Sequence, residues 1–368
     1  MRILFISKRQ YMNKDLIDDQ YGRFREIPLN LSRLGHQVIG SCLSYKTKPE
    51  SRVQDSFNKK SVEWHSYNAG WLKLPGLTRY VFHTYRLARQ FRPDIIIGAS
   101  DSIYGAIALI LSRLLRIPFV FDLYDNFESF GAIRLPFVRL FYSKAIREAS
   151  LLTVVSEPLK QHVIDKYSRK GPVLVIENGI DPDLIRPLPK SECRNVLHLP
   201  VEGTLIGVIG AISRSRGIET VFPAFARLSE NIPDLYLVLA GKIDSDIRID
   251  SSSNIIVLGE LPYEKIPLLL SSLDVSVVSN IDTPFGRYCY PQKFVEAVAS
   301  KIAPVVADIG AMHELLHSNP EILFKPGSVD DLVRSIKYQL SNNVVPNNPS
   351  SSWFELTKRL DRDLIKCS

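Results

Sequence analysis

The chain has 368 residues, 46 Lys and Arg against 39 Asp and Glu for a net charge of +7, and 45% hydrophobic residues. That length is more than one ordinary core organises and predicts two domains of a soluble globular protein. The opening Met1-Arg-Ile-Leu-Phe-Ile-Ser7 is short, β-branched and closed by Lys8-Arg9, unlike a secretory leader, and the longest apolar segment, Ile103–Leu111, is broken off by Arg113 and Arg116, short of a membrane span.

Taken in order, short β-branched runs alternate with helical patterns. "RILFIS" precedes a helix through "REIPLNLSRLG", and "HQVIGSCLS" follows. "PDIIIGAS" leads into "SIYGAIALILSRLLR", then come "IPFVFDLY", "ASLLTVVS" before "EPLKQHVIDKY", and "GPVLVIEN". Uniformly apolar strands separated by helices predict a parallel sheet covered on both faces. The first α/β domain is expected over 1–189, and the Pro-rich, charged residues 190–202 read as a connection. A second series starts at "TLIGVIGAI" and runs through "GIETVFPAFARLSE", "LYLVLAGK", "NIIVLGEL", "VSVVSN", "PQKFVEAVASK" and "APVVAD". It predicts a second Rossmann-like domain over 203–345, with 346–368 as a final helix returning toward the first domain. Ligands of such sheets bind beyond the carboxyl ends of the strands, so two domains in tandem would face those ends across a cleft.

Two stretches are basic and bulky-apolar: Trp71–Pro93, with Lys73, Arg79, Arg86, Arg89 and Arg92 and no acid, and Ser129–Arg147. Solvated helix faces account for this equally well as a face resting on anionic lipid or a phosphorylated acceptor. No nucleic-acid reader motif accompanies the charge, and none is expected as a partner. The cysteines Cys42, Cys193, Cys289 and Cys367 form no C-x-x-C pair, and a reduced cytoplasm is the expected compartment.

Chemistry concentrates in the second half. In "GAISRSRGIET", Gly210, Arg214, Arg216 and Gly217 precede a helix, which combines fixed positive charge with free backbone N–H groups and suits a phosphate. In "YPQKFVEAVASK", Lys293 falls in the first turn of a helix, unfavourable for the macrodipole unless an anion binds there. Glu296, almost one turn on, can accept hydrogen bonds from vicinal sugar hydroxyls. Further on, "AMHELLHSNP" spells H-E-x-x-H, a zinc-protease pattern. A zincin needs a longer helix and a third ligand, whereas "SNP" stops this one, so no metal site is expected.

With these fragments in place the whole chain resembles the retaining nucleotide-sugar glycosyltransferases of family 4, with two Rossmann-like domains in the GT-B architecture. The landmarks are "LSRLGHQV", "VVSEPLKQHV", "VIENGIDPDLIRP", the G-x6-RG of Gly210–Gly217, "LVLAGK", "IIVLGEL" and "YPQKFVEAVASKIAPVVADIGAMHELL". The resemblance implies transfer of a sugar from a nucleoside-diphosphate sugar to a glycan or lipid-linked acceptor, without a metal, in bacterial-type surface polysaccharide or glycolipid synthesis at the inner membrane face. It places Arg216 on the donor diphosphate, with Arg214 assisting because Ala211 stands where many members have an arginine. Glu296 matches the second Glu of the family's E-x7-E element, on the donor ribose. Tyr288 replaces the first, which makes Lys293 the expected phosphate or sugar contact. Gly22 matches the glycine region where donor and acceptor meet. Tyr124 replaces a frequent histidine, and Arg23, Tyr124 and Asp125 are placed on the acceptor side, Asp125 as an orienting group or base. Arg216, Lys293 and Asp125 form the expected catalytic set. Two other readings stay open: a silent nucleotide-sugar-binding scaffold, and a sugar-nucleotide epimerase on the same fold.

Overall fold

The structure, a computed structural model, describes residues 1–11, 14–57, 60–129, 136–249, 254–347 and 351–367. The chain divides into two compact units: unit 1 is Met1–Glu177 with Trp353–Ser368, and unit 2 is Asn178–Ser352.

Unit 1 begins with β1 (Arg2–Lys8), a short ladder of β2 (Gln10–Tyr11) and β3 (Lys14–Asp15), α1 (Arg23–Arg33), β4 (Gln37–Ser44), β5 (Ser51–Phe57) and β6 (Lys60–Asn68). It continues with α2 (Lys73–Phe91), β7 (Ile95–Ala99), α3 (Ser102–Leu115), β8 (Phe119–Leu123), α4 (Pro136–Glu148), β9 (Leu151–Val154), α5 (Glu157–Tyr167) and β10 (Val173–Val175). The sheet order is β10-β9-β8-β7-β1-β4-β6-β5, parallel except for the antiparallel edge strand β5. β7, β8 and β9 are buried along their whole length, as their unbroken apolar runs require of a sheet covered on both faces. β5 and β6 had no sequence signal: "SRVQDSF" and "KSVEWHSYN" mix polar and apolar residues, and only the neighbouring β4 makes them strands.

Unit 2 runs α6 (Lys190–Val196), β11 (Thr204–Ile209), α7 (Ile218–Ser229), β12 (Leu235–Ala240), β13 (Ile255–Gly259), α8 (Ile266–Ser272), β14 (Val275–Val278) and α9 (Pro284–Tyr288). Then come α10 (Gln292–Ala299), β15 (Ala303–Ala307), α11 (Ala311–Leu315), β16 (Leu323–Phe324) and α12 (Val329–Asn342). Its sheet is wholly parallel, in the order β13-β12-β11-β14-β15-β16. Residues 178–189 fold with this unit, earlier than the boundary expected at 189. Asn178 Nδ2 donates to the Tyr290 carbonyl at 2.8 Å, and Gln292 Nε2 to that of Gly179 at 3.0 Å.

The final helix, α13 (Trp353–Cys367), belongs to unit 1. Its Trp353, Leu356, Leu360 and Leu364 stripe joins the core that holds Phe24, Ile27 and Leu31 of α1, and His36 meets Asp361 at 2.6 Å. Burying four such side chains contributes on the order of 6–10 kcal/mol of gross stabilisation.

Strand order reverses at β1/β7 in unit 1 and at β11/β14 in unit 2. Those two crevices, at the carboxyl ends of the strands, are where open α/β sheets bind ligands.

Candidate functional site

At the unit 2 reversal, β11 is followed by Gly210 (φ 119°), and the neighbouring β12 by Gly241 (φ 144°). A Cβ on Gly241 would lie 1.8 Å from the Gly210 carbonyl oxygen, so only glycine lets these strand ends approach. A 3₁₀ turn, Arg214–Arg216, then feeds α7, whose cap residue Gly217 (φ 77°) supplies no side-chain acceptor. The Arg216 guanidinium lies over the Phe285 ring at 3.8 Å from its centroid and reaches Asn280 Oδ1, just past β14, at 3.5 Å. Stacking of a guanidinium on an aromatic face is a favourable cation–π contact. Arg214 takes another course. It is exposed and pairs with Glu219 at 3.3 Å and Asp246 at 3.1 Å, so the structure does not bring the two arginines onto one point.

α10 starts after Pro291. Lys293 in its first turn donates to Glu296 Oε2 at 2.7 Å, and Glu296 is wholly buried. Its other oxygen, Oε1, is buried with no hydrogen-bond partner. A carboxylate oxygen sealed from water without a donor costs on the order of 1–3 kcal/mol.

In unit 1, Gly22 caps α1 at φ 87°, and a Cβ there would collide with the Tyr11 ring at 2.4 Å. Arg23 is fully buried, which corrects the expectation that it meets an acceptor. Its Nε and Nη2 hold the Asp122 carboxylate at 2.8 and 2.7 Å, and Nη1 the carbonyls of Ile176 and Glu177. It ties α1 to β8 and to the end of the unit. Tyr124 packs edge-on against Tyr11, Phe24 and Phe127 at about 5 Å. Burial lifts its phenol well above the ordinary range. Asp125 beside it is buried and accepts from the Asn126 amide at 2.7 Å.

Sequence reasoning missed two residues at the unit 1 reversal. Lys8 ends β1, its ammonium 5.7 Å from the Tyr124 ring centroid and 6.0 Å from that of Phe127. Asp101 follows β7 and caps α3 by accepting from the Ile103 amide at 3.0 Å. Burial pushes Lys8 down against the pull of Asp101 and Asp125, and pushes Asp101 up against the pull of Lys8. Ser100, preceding Asp101, holds φ 106°, a strained value for a residue with a Cβ. The available signal was topological: both residues end strands that flank the reversal.

The H-E-x-x-H pattern does not form a helical pair. α11 ends at Leu315, before His317. His313 meets Asp308 at 2.7 Å, and His317 the Glu314 carbonyl at 2.9 Å. Of the second basic stretch, residues 130–135 lie outside the described residues.

Two doubly wound α/β domains, one in each unit, make up the GT-B architecture. Residues 25–184 match the model of Glycosyltransferase Family 4 and residues 189–353 that of Glycosyl transferases group 1. The chain belongs to glycosyltransferase family 4. It is 23% identical over 340 residues, covering 86% of this chain and 84% of the other, to a Bacillus subtilis (strain 168) glycosyltransferase named for teichuronic acid biosynthesis, TuaC. It is 23% identical over 298 residues, 75% of this chain and 74% of the other, to the 2-deoxystreptamine glucosyltransferase of Streptomyces kanamyceticus. Among solved structures it resembles sucrose-phosphate synthase from Thermosynechococcus elongatus, with TM-score 0.76, 17% identity and full coverage of both chains. It also resembles Anabaena HepE in complex with UDP-glucose, with TM-score 0.71, 17% identity and full coverage of both.

Proposed function

We propose that this glycosyltransferase is a retaining enzyme that moves a sugar from a nucleoside-diphosphate sugar, UDP-linked in the first instance, to a glycan or lipid-linked acceptor of surface polysaccharide or glycolipid synthesis. The observation that carries it is Glu296: a sealed carboxylate with one oxygen on Lys293 and the other without a donor. Two ribose hydroxyls supply the missing donor. Arg216, fixed on Phe285, and the N-terminus of α7 then meet the diphosphate. As the bond from the sugar C1 to the leaving phosphate breaks, that phosphate takes the proton of the attacking acceptor hydroxyl. The chain's cations neutralise the charge it keeps, so no metal is required. HepE, a structural neighbour, is known in complex with UDP-glucose, which favours uridine as the base to test first.

The acceptor side belongs to unit 1 in this reading. Around α2, Trp71 is 92% exposed, and Leu72, Leu74 and Phe82 stand out of the surface among Lys73, Arg79 and Arg86. α3 packs beside α2, and α4, beside α3, adds exposed Phe137 and Leu140. Apolar side chains interleaved with cations suit an anionic leaflet, each cation contributing about 1 kcal/mol near its surface. Among the described residues no helix is long and apolar enough to cross a membrane, so contact would be peripheral.

A thermal-shift series over nucleoside diphosphates and their sugars tests the donor half. A bound diphosphate at a hundred times its Kd adds about 2.7 kcal/mol, and Glu296→Gln should weaken it about tenfold. A folded protein protected by no nucleoside diphosphate overturns the reading. Cosedimentation tests the membrane half: binding to anionic but not neutral vesicles, lost at high salt and weakened by Arg86→Ser, Arg89→Ser and Arg92→Ser together.

A further inference from the structure

Lys293 stands where helix physics disfavours it. It lies in the first turn of α10, a turn with no acid and no side-chain cap, so its charge opposes the positive end of the helix dipole. It precedes Glu296 by three residues, and a cation placed ahead of an anion along a helix is the weaker order of such a pair. Helix stability gives no account of this lysine.

Burial gives one. Gln292 and every residue from Phe294 to Val298 are buried, and Phe294, Val295 and Val298 join an apolar core with Ile180, Val278 and Met312. Glu296 is set into that surface with no exposure. Among the described residues its one ion-pair partner is Lys293, whose Nζ donates to Oε2 at 2.7 Å, while Oε1 is buried with no hydrogen-bond partner. A carboxylate out of water requires a counter-ion, yet replacing a buried pair with apolar residues is often neutral or stabilising, so stability does not explain the pair either. What the pair does hold in place is a strong acceptor, one oxygen taken and the other not. As a unit it is neutral, and it brings no net charge to a phosphate.

We propose that Lys293 is a positioning residue: it neutralises the Glu296 carboxylate through Oε2, leaves Oε1 to accept from the vicinal hydroxyls of the donor's ribose, and is not itself a phosphate contact. The proposal rests on the transferase reading and deepens it. Nucleoside recognition and diphosphate neutralisation become separate tasks within unit 2, the first carried by Lys293 acting through Glu296, the second by Arg216.

The test separates nucleoside from phosphate. Its probes are uridine and UDP, their binding to the full chain read by calorimetry and saturation-transfer NMR; where the thermal-shift series selects another base, that nucleoside and its diphosphate take their place. Lys293→Met should weaken both probes alike, by about tenfold, since both carry the ribose. That variant strands a buried carboxylate and can cost the fold, so the deciding comparison is made on Glu296→Gln. Adding Lys293→Met to this neutral background should change UDP affinity by less than about twofold. Three results would overturn the proposal: no effect of Lys293→Met on either probe; loss of UDP affinity with uridine unchanged; or a further loss of UDP affinity of about tenfold on the Glu296→Gln background, as a phosphate contact would give. Uridine and UDP binding left unchanged by Glu296→Gln alone, or a folded chain protected by no nucleoside diphosphate, is instead the failure of the donor reading, and the proposal falls with it.

Discussion

At the reversal of unit 2, an arginine lies on the face of Phe285 within reach of Asn280; at the reversal of unit 1, a lysine lies among two carboxylates and two aromatic rings. Both places come from the same strand order, so topology decides where a ligand goes and not which one. What holds each arginine differs between the two units. In unit 2 the Arg216 guanidinium stands on the Phe285 ring beside Asn280. In unit 1, Arg9 pairs with Asp15 and Asp18, and Arg23 with Asp122. Arg23 and Arg216 therefore look alike in sequence, each beside a glycine at the start of a helix, and are held differently, one on a carboxylate and one on an aromatic face.

The strongest way to break that contrast is to remove each arginine in turn. Arg23→Met leaves Asp122 buried without its partner and should cost about 3–5 kcal/mol in urea unfolding. A loss below about 1 kcal/mol would return Arg23 to the surface chemistry of the site. Arg216→Ala should change the stability of the unliganded protein by less than about 0.5 kcal/mol while lowering turnover by roughly 10²–10³-fold. Near-normal turnover would remove the diphosphate from this loop.

A smaller effect probes how unit 1 steadies its site. Glu128, three residues past Asp125, accepts from His162, Lys166 and Tyr167 of α5. Burial alone would raise its carboxyl, but these three donors outweigh it and hold it at about 2. The folded value lies below the unfolded one. The stabilisation is thus complete above the unfolded pKa, near 4.5, and disappears as pH falls through about 2. Glu128→Gln should cost about 1–2 kcal/mol at pH 7, and unfolding midpoints of the two proteins should converge between pH 4.5 and pH 2. A gap independent of pH would place the effect in packing rather than charge.

The smallest effect is expected at the histidines. Replacing His313 and His317 together by alanine should leave turnover within a few-fold, because each ring is engaged by its own local partner rather than with the other. Loss of stoichiometric zinc in elemental analysis of that variant would reinstate a metal site.

The sequence alone determined the two doubly wound domains, because strands buried on both faces must be apolar throughout, and that signal is local. It also placed Arg216 and Gly217 in a turn before a helix and Lys293 and Glu296 almost one turn apart on another, since both placements follow from local spacing. The edge strands β5 and β6 escaped it, since their polar residues become strands only through pairing with β4. Tertiary structure alone decided the fate of each arginine. Whether a guanidinium finds a carboxylate depends on residues such as Asp122, ninety-nine positions from Arg23. The same holds for Lys8 and Asp101, which are far apart in sequence and become neighbours only because β1 and β7 lie side by side in the sheet.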